Sequence, residues 1–158
     1  MMEMAENSNI EIFEVPWQLR VDYLFSYGEI SRFFKEVVEN KRLFATKCTK
    51  CQKVIMPPRG DCPECWAPTE WIPLSGRGTV ISCTYCFQAG MAKVAEYLDL
   101  PIIFAIIKLD GADTYFYHVV DAEDKTIGSV KSGTRVKVVF REERKGTIAD
   151  FYFIPEED

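Results

Sequence analysis

Histidine is almost absent from this chain of 158 residues, which carries only His118. A lone imidazole needs an orienting partner and a reactive neighbour before it can do acid–base chemistry. There is also no Gly-x-Ser-x-Gly elbow, no glycine-rich phosphate loop and no dinucleotide fingerprint, so the common enzyme signatures are missing. No run of about 18 apolar residues occurs, which excludes a membrane-spanning helix. The opening stretch MMEMAENSNIEIFEV is acidic and lacks the basic start and apolar stretch of a signal peptide, so a cytoplasmic location is expected. Internal repeats and low-complexity tracts are absent as well.

What the chain does have is enough apolar material for a core. It is 47% hydrophobic and 13% aromatic, the composition of a globular protein of one domain, or of a small module beside a medium one. The net charge of −5 argues against nucleic acid as a partner. That average conceals an asymmetry. Between Lys41 and Gly60 stand six basic residues and no acidic one, whereas the remainder holds 13 basic against 24 acidic residues. A basic module sits on an acidic body.

Residues 1–19 show no sustained period and read as a tail or an interaction arm. From about Ile30 to Leu43, Ile30, Phe33, Phe34, Val37 and Val38 recur at three- and four-residue spacing, which predicts a helix with one apolar face and starting caps at Ser31 or Gly28-Glu29. From about Glu70 the pattern turns to strands: Thr79 to Phe87, Pro101 to Leu109, Tyr115 to Val120, Arg135 to Phe140 and Ile148 to Ile154. The second of these is continuously apolar and reads as covered on both faces. In the fourth, Val136, Val138 and Phe140 share a face. Five strands with turn signals between them suggest a small closed barrel. Gln88 to Leu100 is a long connection or a helical turn. The expected order is an arm (1–24), a helical segment (25–45), a zinc ribbon (46–70) and a barrel domain (71–155).

Six cysteines in a chain without an export signal point to metal rather than disulfides. Cys48-Thr-Lys-Cys51 and Cys62-Pro-Glu-Cys65 are two chelating turns with ten residues between them. Thiolate sulfurs from both can close a tetrahedron on one zinc ion, leaving no open position, so the ion is expected to be structural. Lys47, Lys50 and Lys53 would offset the charge of four thiolates. Cys83-Thr-Tyr-Cys86 has the same spacing but lies inside a strand, where residues three apart face opposite ways. Those two read as small core hydrophobes. The aromatic run Tyr115-Phe116-Tyr117 reads as core packing alternating with surface, with base stacking as the rival account.

Taken together, Tyr27-Gly28-Glu29-Ile30-Ser31-Arg32-Phe33-Phe34, Leu43 to Cys51, Pro57-Pro58-Arg59, Cys62-Pro63-x-Cys65, Gly76-Arg77-Gly78-Thr79-Val80, Lys108-Leu109-Asp110-Gly111 and Gly133-x-x-Val136-x-Val138-x-Phe140 resemble a bacterial and archaeal family. Its members carry an N-terminal helix, a rubredoxin-like four-cysteine zinc ribbon and a C-terminal five-stranded OB-fold. The resemblance covers about residues 25 to 154. It implies a small accessory subunit of a thiolase-like enzyme, associated with acyl-CoA chemistry, whose nucleophile and catalytic histidines belong to the large subunit. It departs from the family where a glycine is frequent after each ribbon's second cysteine: Gln52 and Trp66 stand there. On this reading Lys41, Arg42, Lys47, Lys50, Lys53, Arg59 and Arg77 are candidates to meet the phosphates of coenzyme A. Met91, Tyr97 and Leu98 of the long connection, together with His118, are candidates to reach a partner. A single-strand nucleic-acid binder and a ligand-free assembly scaffold are the alternatives.

Overall fold

The helical period of the sequence becomes helix α1, Ser31–Asn40, in the computed structural model, which describes residues 15, 16, 18, 21, 24–87 and 97–156. Phe33 and Val37 are buried on its inner face, and Ile30 and Phe34 pack at the margin. No side chain caps its start; the helix is entered from a 3-10 turn, Gly28–Ile30, so the expected Ser31 cap is not used. It also stops short of Leu43. Lys41 adopts a left-handed conformation (φ 49°), which turns the chain out of the helix and lets Leu43 open a strand.

That strand is β1 (Leu43–Cys48), the centre of a three-stranded antiparallel sheet with β2 (Val54–Ile55) on one side and β3 (Thr69–Leu74) on the other. The second body is a closed barrel of β4 (Arg77–Cys86), β5 (Ile102–Leu109), β6 (Phe116–Val120), β7 (Arg135–Phe140) and β8 (Phe151–Pro155), ordered β4-β5-β6-β8-β7. All neighbours are antiparallel except β6 and β8, which meet in parallel at Val120 and Phe153. This is the topology of an OB-fold barrel.

Period-two alternation divides β5. Ile103, Ala105, Ile107 and Leu109 point into the core, and Ile102 is buried on the other face. The expectation that both faces are covered fails further along, because Ile106 is exposed and Phe104 half-buried beside the exposed Tyr117. Phe104 and Tyr117 stack at 5.6 Å with their planes 5° apart. The barrel closes tightly at Gly78, where a Cβ would lie 2.7 Å from the Lys108 carbonyl oxygen and 2.9 Å from the Ile107 side chain.

Ribbon, helix and barrel share one core: Phe33, Val37, Leu43, Ala45 and Met56 belong to the same apolar cluster as Val80, Ile107, Phe116, Phe151 and Phe153. Hydrogen bonds lock the joint. The Val54 N–H donates to the Asp113 carboxylate and the Asp113 N–H to the Val54 carbonyl, each at 2.8 Å. The Thr114 hydroxyl accepts from the Met56 N–H and donates to the Met56 carbonyl, each at 2.7 Å. The Arg144 Nε donates to the Val38 carbonyl at 3.0 Å, tying the helix end to the barrel. Substituting Gly78→Ala should therefore destabilise the whole protein by about 1–3 kcal/mol, measurable as a lower denaturation midpoint with an unchanged slope.

Candidate metal centre and its surroundings

Both cysteine pairs sit in turns of the same construction. In the first, the Cys48 N–H donates to the Lys53 carbonyl (2.9 Å) and the Gln52 N–H to the Cys48 carbonyl (3.1 Å). In the second, the Cys62 N–H donates to the Ala67 carbonyl and the Trp66 N–H to the Cys62 carbonyl, both at 2.9 Å. The fifth residue of each turn is left-handed, with φ 64° at Gln52 and φ 56° at Trp66. These are the positions where the resemblance leads to the expectation of glycine, and Gln52 and Trp66 both take the left-handed conformation that glycine favours. At Gln52 the amide donates to the Cys48 and Thr49 carbonyls. Trp66 is 80% exposed.

These turns bring the sulfurs of Cys48, Cys51, Cys62 and Cys65 within 4.8 Å of one another, with 3.3 Å between Cys48 and Cys65 and 3.7 Å between Cys51 and Cys62. None is joined as a disulfide. Four thiolates on one tetrahedral zinc stand about 3.8 Å apart, so the cluster fits such an ion. The electrostatics agree. Burial would raise the Cys48 thiol, but N–H groups of Cys51 and Lys50 and the neighbouring thiols draw it down to about 6. Cys62 is lowered in the same way by the N–H groups of Cys65 and Glu64. At Cys51 the Lys53 N–H favours the thiolate, yet the adjoining sulfurs and burial outweigh it and push the thiol up to about 12. Without a cation only part of the cluster can ionise; a divalent ion is what lets four thiolates converge. Lys53 adds a strap by pairing with Glu64 across the two turns.

Cys83 and Cys86 do not join the cluster. Cys83 packs against the barrel core and donates to the Val130 carbonyl at 3.1 Å, and burial raises its thiol. Among the described residues, Cys48, Cys51, Cys62 and Cys65 form the one group of three or more potential ligands.

The seven basic candidates do not act as a set. Lys41 pairs with Glu142 at 3.2 Å, Lys53 with Glu64, and Arg77 with Glu156 at 3.1 Å. Arg42, Lys50 and Arg59 are exposed and Lys47 is half-buried, without an ion pair among the described residues. Arg59 lines an open groove of about 550 Å³ with Ile30, Pro58, Pro63 and Trp66. Composition showed the basic stretch, but the cross-chain acidic partners become visible only once the chain is folded.

The partner-loop candidates separate too. Met91 lies outside the described residues. Leu98 is half-buried, and the exposed Tyr97 ring lies 4.7 Å from the Arg141 guanidinium, which also faces Tyr152 at 5.0 Å. His118, grouped with them by sequence, is instead inside the barrel. It is 4% exposed, with its ring 4.5 Å from that of Phe151. Its Nδ1 accepts from the Val119 N–H at 2.7 Å, which leaves Nε2–H to donate to the Ile148 carbonyl at 3.0 Å. Burial outweighs those contacts and holds the imidazole down at about 4. The even spacing of β6 explains the placement, since Phe116, His118 and Val120 all face inward.

The comparisons with known proteins follow the same division. A family model described as "ChsH2, rubredoxin-like zinc ribbon domain" matches residues 39–70, and one described as "ChsH2, C-terminal OB-fold domain" matches residues 71–141. The chain belongs to this zinc-ribbon and OB-fold family. A curated relative is a "DUF35 domain-containing scaffold protein" of Methanothermobacter thermautotrophicus, 28% identical over 120 residues, covering 74% of this chain and 85% of the relative. Two solved structures share the ChsH2-type fold. One, the "Ltp2-ChsH2(DUF35) aldolase", is 16% identical with a TM-score of 0.59, over 84% of this chain and 97% of that chain. The other is the crystal structure of a DUF35-family protein of unknown function from Sulfolobus solfataricus, 21% identical with a TM-score of 0.54, over 71% and 78%.

Two outcomes check these assignments. Cys62→Ser should lose the bound metal and several kcal/mol of stability, whereas Cys83→Ala should retain the metal, as read by elemental analysis of the purified proteins. His118 has a folded pKa below its unfolded value, so its contribution is complete above about 6.5 and is lost as pH falls towards about 4. That loss amounts to about 3 kcal/mol. In denaturation curves across this range, His118→Gln should show a correspondingly flatter pH dependence than the wild type.

Proposed function

We propose that this protein is a noncatalytic accessory subunit of a thiolase-like acyl-CoA enzyme, with one structural zinc ion, supporting assembly and acyl-CoA binding. The observation that carries this reading is the closed four-sulfur cluster fixed to an OB barrel in the ChsH2 zinc-ribbon and OB-fold family, and the fold shared with the "Ltp2-ChsH2(DUF35) aldolase" supports it. Four protein ligands leave the ion no place for substrate, and the single histidine is sealed in the barrel as a neutral packing group. The reactive groups are then supplied by the large subunit. The naming of a curated relative as a scaffold protein supports the assembly role.

Within this reading Arg42, Lys47, Lys50 and Arg59 are the better candidates for coenzyme A phosphates, because Lys41, Lys53 and Arg77 already have carboxylate partners. The sequence also resembles the small subunit of the thiolase that cleaves benzoylsuccinyl-CoA in anaerobic toluene breakdown, which makes an aromatic acyl-CoA the first substrate to assay. The rival reading, a single-strand nucleic-acid binder, draws on the exposed Tyr115 and Tyr117 of the barrel wall. Lys108, which faces the Tyr115 ring at 5.4 Å, does not make the continuous positive track that backbone binding needs.

Copurification from the native cell separates the two. A thiolase-like enzyme should come down with the tagged chain, with about one zinc per accessory chain, and its acyl-CoA turnover should collapse when this subunit is removed. Recovery of nucleic acid with no enzyme, together with a salt-sensitive gel shift, would replace this reading with the rival.

A further inference from the structure

The two turns that carry the sulfurs are tied to each other twice, by contacts of different kind. At Thr49, the residue after Cys48, the tie is neutral: its N–H and hydroxyl both donate to the Pro68 carbonyl, at 3.1 and 2.9 Å. Between Cys51 and Cys62, whose sulfurs lie 3.7 Å apart, it is ionic, because the Lys53 ammonium pairs with the Glu64 carboxylate. The main chain of the same two residues holds the same two sulfurs: the Lys53 N–H bonds Cys51 and the Glu64 N–H bonds Cys62. Side-chain pair, amides and sulfurs close one ring across the turns.

Exposure separates the two sides as well. Cys48 and Cys62 are fully buried and Cys65 is half-buried, whereas Cys51 is exposed. The Lys53 and Glu64 side chains are 32% and 58% exposed, so water and salt reach the ionic tie. The Lys53 charge also acts on Cys51 and on Asp113, the residue that fastens Val54 to the barrel. One side of the cluster is closed by backbone, and the other by two charges open to solvent.

We propose that the Lys53–Glu64 pair is a latch on the metal: closed, it holds Cys51 against Cys62, and zinc enters and leaves on the Cys51 side when it opens. The latch rests on the reading of the four cysteines as one zinc site. Lys53 and Glu64 are positioning residues, acting through the sulfurs beside them. An ammonium near Cys51 also offsets part of the double negative charge that four thiolates leave on a divalent ion, which favours the loaded cluster. Charges this accessible are screened by salt, whereas the Thr49 tie carries no charge to screen.

The test is the rate at which 4-(2-pyridylazo)resorcinol, an anionic chelator, takes zinc from the purified full-length chain. Lys53→Met and Glu64→Gln should each release zinc about threefold faster than the wild type at about 0.05 M salt, the scale of one exposed ion pair. The double variant should be no faster than either single one, and Lys53→Arg should keep the wild-type rate. At about 1 M salt, where charges act within about 3 Å, the wild type should approach the variants. Zinc per chain and circular dichroism should match the wild type throughout. In the loaded chain, iodoacetamide should label Cys51 before Cys48, Cys62 and Cys65, as read by peptide mass. The two single substitutions change the local charge in opposite directions. Opposite changes in rate would therefore report only attraction of the chelator and overturn the latch, as would wild-type rates in both variants, and either outcome leaves the zinc site standing. Labelling of Cys65 first would move the opening to the other side and sink the assignment. If the wild-type chain takes up no zinc, the zinc reading falls and the latch falls with it.

Discussion

The joint between ribbon and barrel is the constraint on which the rest depends. A ribbon of this size has little apolar interior: its own cluster comprises Cys48, Ile55 and Cys62, with Cys65 and Ala67 at the edge. It gains the remainder by lending Val54 and Met56 to the barrel's core and by closing backbone bonds with Asp113 and Thr114. An edge strand of two residues could not hold a register alone. Held by the turn between β5 and β6, it positions β1, and β1 positions Cys48. The sulfur geometry is thus referred back to the barrel wall.

Polar groups in this frame bond to backbone or to one another, which is why they read as structure. Asp150, almost wholly buried, accepts from the N–H groups of Lys145, Gly146 and Thr147 and from the Thr147 hydroxyl. It shapes the turn that leads into β8. Arg135 forms a two-pronged pair with Asp110, at 2.9 and 2.6 Å, and bonds the Thr79 hydroxyl at 2.9 Å, linking β4 and β7 near the barrel seam. Charged side chains at such points orient strands. They are poor candidates for chemistry because their hydrogen-bonding capacity is already directed at the fold.

Much of this was legible before folding, for physical reasons that differ by element. The Cys-x-x-Cys turns are local, so spacing alone defined the cluster. β7 was recovered to the residue because Val136, Val138 and Phe140 recur at every second position, whereas Ile148 to Asp150 was read as strand and forms a 3-10 turn held by Asp150, a contact that sequence period does not report. The helix was extended to Leu43 because Lys41 carries no sign that it turns left-handed. His118 was grouped with the candidates to reach a partner, although the period of two along β6 seats it inward with Phe116 and Val120. The pairing of Lys41 with Glu142 joins residues 101 positions apart, beyond the reach of any local pattern.

The shared core has a consequence for how the molecule comes apart. Because Leu43, Met56 and Phe33 belong to the cluster that fills the barrel, the two bodies have no boundary along which one can melt while the other survives intact. Disorder begun at the sulfur cluster would travel through Val54 into the turn that joins β5 to β6, and the barrel would lose one of its walls. A metal ion held by the four cysteines would thereby govern the lifetime of the whole chain. In a cell, the supply of that metal would set how much of the protein escapes proteolysis.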